Sequence, residues 1–238
     1  MKVAVIGDIH GTTKFLECFK NIQEIDSDVD KIIVLGDWFD PYINVDLDTM
    51  IERYNEFVKI WKSDDRIISI LGNHDIAGYI VHNDSTNRTY KGVPRQKITE
   101  VIEPNLPESY LTYKIGDYMF SHAGVSKEWL NDISKYSFCN YVDDIMNCKK
   151  GWNENELSDI CVFYPLDFSG YGNNIHQSCV WIRPQALYKC AIDGFHQVVA
   201  HTRVEEITKV SLENGNDLWI VDDDQKPNYL ILNIDENL

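Results

Sequence analysis

Residues 1–11, MKVAVIGDIHG, decide the fold. Val3 to Ile6 form a continuous apolar run that stops at Gly7. A run without alternation is what a strand buried on both faces needs, and such strands belong to parallel sheets covered by helices. Asp8 and His10 follow at the mouth of this strand, ahead of a helical pattern. From one tight turn a carboxylate oxygen and a ring nitrogen can point the same way, toward a hard-to-borderline metal ion.

The same design repeats outward. Phe15, Leu16, Phe19 and Ile22 follow helical spacing, with Thr12 or Thr13 available as N-cap. A second buried strand, 31–35, ends at Gly36-Asp37. A second helix then places Leu47, Met50, Ile51, Tyr54, Phe57, Val58 and Trp61 on one face, with Asp46 as its cap. A third strand, 66–71, ends at Gly72-Asn73-His74-Asp75. This is a βαβαβ layout on a parallel sheet, which gathers its loops at the carboxyl ends of the strands. Residues 76–107 lose the pattern and predict loops with one or two short helices. A hairpin over 110–121 runs into His122, residues 126–163 read as helical pieces, and a loop containing Gly170 precedes Cys179. A short strand, 198–200, ends at His201, and 218–221 with 229–232 predict a closing antiparallel pair. No repeat or linker divides the chain, so a single domain over 1–238 is expected.

Composition narrows the function. Hydrophobic residues at 44% and charged ones at 25% are ordinary for a globular protein, whereas a formal net charge of −16 argues against a polyanion-binding surface. A nucleic-acid partner is therefore not expected. Six cysteines, at 18, 139, 148, 161, 179 and 190, show no metal-finger spacing and read as reduced thiols. The N-terminus runs straight into a core strand without a signal-peptide pattern, and no apolar run approaches the length of a membrane span. The expectation is a soluble cytoplasmic protein with no membrane partner.

Five strand ends now carry Asp, Asn or His: Asp8/His10, Asp37/Asp40, Asn73/His74, His122 and His201. Singly, each is ordinary turn chemistry or a hydrogen-bonded histidine. Together, at consecutive strand ends, they point to a metal site.

The stretches Gly7-Asp8-Ile9-His10-Gly11, Gly36-Asp37-Trp38-Phe39-Asp40, Gly72-Asn73-His74-Asp75, Ser121-His122-Ala123-Gly124, Trp181-Ile182-Arg183-Pro184 and Ala200-His201-Thr202 span residues 7–202. In content and order this set resembles the calcineurin-like metallophosphoesterases, and within them the phosphoprotein phosphatase branch with its bacterial and phage members. The resemblance implies an α/β fold, a four-layer α/β/β/α sandwich of two mixed sheets flanked by helices. It also implies two divalent ions. Asp8 and His10 would hold the first with Asp37, which would bridge to the second; Asn73, His122 and His201 would complete that one. A bridging carboxylate lets two cations sit about 3.5–4 Å apart, with a hydroxide between them as nucleophile. Carboxylate with imidazole suits manganese first, with iron or zinc also possible.

By the same resemblance His74 is the general acid for the leaving oxygen, oriented by Asp40. Asp40 read from the residues alone could also be a loop residue before Pro41. Arg183 is a candidate phosphate clamp or, alternatively, an arginine paired with an acid beside Trp181. Arg203 reads as peripheral. Three departures bear on recognition. Pro41-Tyr42 stand where the branch carries an Arg-Gly, with Arg88 or Arg95 as conceivable replacements; GNHD stands for GNHE; and Val221-Asp222-Asp223-Asp224 stands where bacterial relatives often carry Asp-x-Gly. The expected activity is hydrolysis of phosphomonoesters on a phosphorylated substrate, serine/threonine protein phosphatase-like. Hydrolysis of small compounds such as dinucleoside polyphosphates is the alternative. A nucleic-acid phosphoesterase and a non-catalytic protein-binding member rank below both.

Overall fold

The computed structural model describes residues 1–77, 87–89, 91–135, 140–162, 172–223 and 226–235. In chain order its elements are β1 (Lys2–Ile6), α1 (Lys14–Ile25), β2 (Lys31–Val34), α2 (Leu47–Ser63), β3 (Ile67–Ser69) and α3 (Arg95–Ile102). After a 3-10 turn over Glu103–Glu108 come β4 (Thr112–Ile115), β5 (Tyr118–Ser121), α4 (Lys127–Ser134), α5 (Tyr141–Met146) and α6 (Glu154–Val162). The last are α7 (Pro184–Cys190), β6 (His196–Val199), β7 (Thr208–Ser211), β8 (Asp217–Ile220) and β9 (Leu230–Asn233).

Two mixed sheets result. The first has the order β3-β2-β1-β9, with β1, β2 and β3 parallel and β9 antiparallel to β1. The second has the order β4-β5-β6-β8-β7, with β5, β6 and β8 parallel. Side chains of the first sheet alternate between two cores. Ala4, Ile6, Ile32, Val34 and Ile67 pack with Phe15, Cys18 and Ile22 of α1 and with Phe57 and Trp61 of α2. Val3, Val5, Ile33 and Ile68 pack instead with Phe120 and Val198 of the second sheet. On that sheet's other face Val199, Leu218 and Ile220 meet Ala186, Leu187 and Cys190 of α7. Helices thus flank two stacked sheets. Val3 to Ile6 are continuously apolar because both of their faces are covered, with Val3, Val5 and Ile6 each contributing about 1.5–3 kcal/mol.

The Asp46 cap is present: its carboxylate accepts from the Thr49 N–H at 2.9 Å. At α1, Thr13 is the capping position, yet its hydroxyl donates to Glu17 instead of capping the backbone, while the Thr12 hydroxyl donates to the Ile9 carbonyl at 2.7 Å. The hairpin forms as β4–β5, turning at Gly116, whose φ is 53°. The expected pairing of 218–221 with 229–232 is corrected. β8 lies in the second sheet beside β6 and β7, whereas β9 closes the first sheet against β1. Apolar alternation marks a strand but does not name its partner, and β1 offered a free edge. Cys139, Gly170 and Asp224, and the side chain of Cys161, lie outside the described residues. Among the described residues no helix is long and apolar enough to cross a membrane.

Candidate metal centre

Every expected metal ligand, with Asp40 and His74, follows the carboxyl end of a parallel strand: Asp8 and His10 after β1, Asp37 and Asp40 after β2, Asn73 and His74 after β3, His122 after β5, His201 after β6; Arg183 instead immediately precedes α7. Because the two sheets stack, these ends meet. Two groups of possible metal-holding residues arise, Asp8-His10-Asp37 and Asp37-His122-His201, all buried, and Asp37 belongs to both. Asn73 joins the second, its Oδ1 lying 2.9 Å from His122 Nε2.

The loops are held by their own backbone. The His10 N–H donates to the Asp37 carbonyl at 2.6 Å, and Gly11 N–H to Trp38 at 2.7 Å. His10, Asp37, Asp40 and His201 adopt φ values of 47°, 56°, 66° and 60°. Each left-handed non-glycine residue costs of the order of 1–3 kcal/mol, strain that persists where the surroundings over-determine it. The close approach of the second and third loops demands glycine: a Cβ on Gly72 would lie 2.1 Å from Asp37 Oδ1.

The rings are aimed by their outer nitrogens. His10 Nδ1 is 3.0 Å from the Phe39 carbonyl and His122 Nδ1 2.8 Å from that of Leu35, which turns each Nε2 inward. His201 is held the other way, with Nε2 3.1 Å from the Trp181 carbonyl. His10 Nε2 is buried without a hydrogen-bond partner, 3.6 Å from Asp8 Oδ2 and 3.8 Å from Asp37 Oδ2. Such a spacing is long for a hydrogen bond and suits donor atoms that each reach about 2 Å to a shared cation. In the second group His122 Nε2 lies 3.3 Å from Asp37 Oδ2 and 2.9 Å from Asn73 Oδ1, so the nitrogen and both oxygens face one point. The residues present fit a divalent pair.

A family model for calcineurin-like phosphoesterases matches residues 1–202. The chain belongs to that family. As such it is a metal-dependent phosphoester hydrolase, of a family that generally uses two divalent ions. Among solved structures, this phosphoesterase resembles a mutant of a cold-active protein tyrosine phosphatase, at TM-score 0.56 and 20% identity, over 94% of this chain and 71% of that one. A second structure of a cold-active protein tyrosine phosphatase gives 0.53 and 19%, over 94% and 70%. A protein serine/threonine phosphatase from Saccharomyces cerevisiae gives 0.46 and 13%, over 92% and 67%. The first two likenesses are of fold. No curated protein matches the chain.

The phosphoesterase's electrostatics are those of a cation site. Burial alone would raise the Asp8 and Asp37 carboxyls, but His122, with His10 beside Asp8 and His74 beside Asp37, holds both below the usual carboxylate range. Burial alone would lower His10 and His122; Asp8 and Asp37 instead push them up to about 9 and about 10. Burial, His122 and Arg183 push His201 well down, which leaves it a neutral donor. Protons on His10 and His122 therefore occupy the role that cations would take.

Beside this centre His74 Nδ1 lies 2.8 Å from Asp40 Oδ2, so Asp40 is more than a loop residue. Thr89 donates to the other Asp40 oxygen. Arg183 donates from Nη1 to the His201 carbonyl at 2.8 Å and to Thr202 Oγ1 at 3.0 Å, within the field of Asp8 and Asp37. The suggested replacements for an arginine at position 41 are engaged in their own loop. Arg88 donates to the Gly92 carbonyl at 2.6 Å, and the buried Arg95 donates from Nε to the Arg88 carbonyl at 2.8 Å. That loop delivers Thr89 to Asp40.

The roles of four residues escaped the sequence reading. Asp75, the last residue of GNHD, accepts the backbone N–H groups of Asp37, Trp38 and Gly72 at 2.8, 2.7 and 2.8 Å, tying the second loop to the third. Asp222 follows β8 just as Asp8 follows β1, and that sixth strand end was its signal. It is buried, and burial with Asp8 pushes its carboxyl up to about 8. Asp223, the next departure from Asp-x-Gly, is a buried acid paired with the buried Lys14 at 3.2 Å. The fourth is Tyr42. Its ring meets that of His10 edge-on at 4.6 Å, a contact nothing in its sequence position announced.

Proposed function

We propose that this phosphoesterase hydrolyses phosphomonoesters in the manner of a serine/threonine protein phosphatase. Asp8, His10 and Asp37 would hold one divalent ion and Asp37, Asn73, His122 and His201 the other, manganese first, with iron or zinc as alternatives. The observation that carries this reading is Asp37 shared between two buried ligand groups. Bound there, the ions would polarise the phosphoryl oxygens and activate a water for attack.

The chain's own residues do the rest. Arg183, anchored on the backbone at His201, would bring its guanidinium to the phosphoryl oxygens. His74 keeps Nδ1 on Asp40 and presents Nε2, 4.0 Å from Asp37 Oδ2, toward the leaving oxygen, to which it gives its proton. Small phosphate compounds form the second reading, favoured by Pro41-Tyr42 where a protein phosphatase of this branch would carry Arg-Gly. The substrate is a phosphorylated molecule, and neither a membrane nor nucleic acid is its partner. The described cysteines, 18, 148, 179 and 190, are in no disulfide, which accords with a reducing compartment such as the cytoplasm.

Turnover of p-nitrophenyl phosphate with added manganese tests the reading. Metal-dependent release of nitrophenol is expected. A folded, metal-loaded protein that turns over nothing in any divalent metal would overturn it.

A further inference from the structure

Tyr42 is the spacer between the metal centre and a pair of cations. One edge of its ring meets His10 at 4.6 Å. The Arg203 guanidinium carbon stands 4.6 Å from the ring centroid, and Lys91 Nζ stands 5.2 Å from it. Arg203 and Lys91 are exposed, and the Tyr42 ring is 43% exposed. A tyrosine face attracts cations and fixes a planar guanidinium with its donors directed outward, at small entropic cost. Arg203 comes from the stretch after His201, Lys91 from the loop that supports Asp40, and Tyr42 from the turn after Pro41. Three separate segments therefore converge on one ring.

We propose that Arg203, held over Tyr42 and joined by Lys91, binds a second anionic group of the substrate, one ring-width outside the phosphoryl group that is cleaved. The proposal rests on the phosphoesterase reading, and it assigns the two arginines different tasks. Arg183 lies within the field of Asp8 and Asp37 and serves the scissile phosphoryl group. Arg203 serves what is attached next to it. The groove beyond Arg203 is walled by Val204, Glu205, Glu206 and Lys226, two carboxylates against one lysine, so it does not extend the ring's cations into a general anion surface. On a chain of net charge −16, two cations on one aromatic ring beside a metal ligand make a local and directional feature. The Tyr42 hydroxyl stays protonated there, since burial and the carboxylates of Asp8 and Asp37 push it up to about 12.

Two substrate chemistries supply such a group: the distal phosphate of a diphosphate ester, or an acidic side chain next to a phosphorylated residue. The test is calorimetric titration of the manganese-loaded protein with inorganic phosphate and with pyrophosphate, which needs no turnover. Arg203→Ala is expected to weaken pyrophosphate about tenfold while leaving phosphate within about twofold, with metal content unchanged. Arg203→Lys keeps the charge without the fork and falls between. Tyr42→Ala repeats the Arg203→Ala pattern, and Tyr42→Phe, which keeps the ring, matches wild type. Pyrophosphate binding that is indifferent to Arg203→Ala overturns the proposal, as does an equal loss for both ligands. Protein that binds pyrophosphate through Arg203 yet hydrolyses nothing would instead sink the phosphatase reading alone. Comparing kcat/KM for ADP and for phosphopeptides with Asp or Ala beside the phosphoserine then assigns the source. The preference that Arg203→Ala abolishes identifies the second anion.

Discussion

His74 Nδ1 and Asp40 Oδ2 stand 2.8 Å apart, and the pair lies beside the metal centre, not within it. The carboxylate fixes the ring, and Thr89 in turn fixes the carboxylate. This division of labour separates two kinds of variant.

His74→Asn is expected to keep both metals and lose roughly 10²–10³-fold in kcat on alkyl phosphates, the size of a missing general acid. p-Nitrophenyl phosphate should suffer far less, since its leaving group needs little protonation. Metal analysis and kcat on the two esters check this; equal losses would remove His74 from the role of acid.

Asp37→Asn strikes both ion sites together, because each ligand group contains this residue. Loss of activity together with most of the bound metal is expected by elemental analysis. A variant retaining two ions would contradict a bridging role.

Asp75→Ala leaves three backbone N–H groups without their acceptor in the buried joint between the second and third loops. With a cost of about 1–3 kcal/mol for each orphaned donor, destabilisation of about 3 kcal/mol or more is expected. Urea unfolding measures it. A change below about 1 kcal/mol would mean that the joint is held by something else.

Metal uptake should release protons near neutral pH. His10 and His122 are pushed up to about 9 and about 10, so both carry protons at pH 7 that a cation must displace. Affinity accordingly rises with pH through about 9–10 and falls in acid. Calorimetry in buffers of different ionisation enthalpy counts the protons; uptake without proton release would place the ions elsewhere.

Much of the centre was legible because each part of it is local. An apolar run followed by Gly and a ligand is a short-range signal, and it repeats after β1, β2 and β3. Convergence of His122 and His201 on Asp37 followed from the order of the motifs, not from any one of them. The illegible residues act across long distances in the chain. Asp75 takes its meaning from the backbone of Asp37, Tyr42 from Arg203, and Lys14 from Asp223, which is 209 positions away. Nothing near these residues in sequence shows their partners. The partner of β9 was hidden for the same reason.

The antiparallel contact of β9 with β1 also orders events during synthesis. β1 leads into the candidate ligands Asp8 and His10 and is made long before β9, so one of its edges stays open until Leu230–Asn233 arrive. The nascent chain must therefore carry an exposed apolar strand edge while all the residues between Ile6 and Leu230 are made. A chaperone that shields such an edge, or a pause that prolongs its exposure, would govern how much of this protein reaches a state able to capture metal.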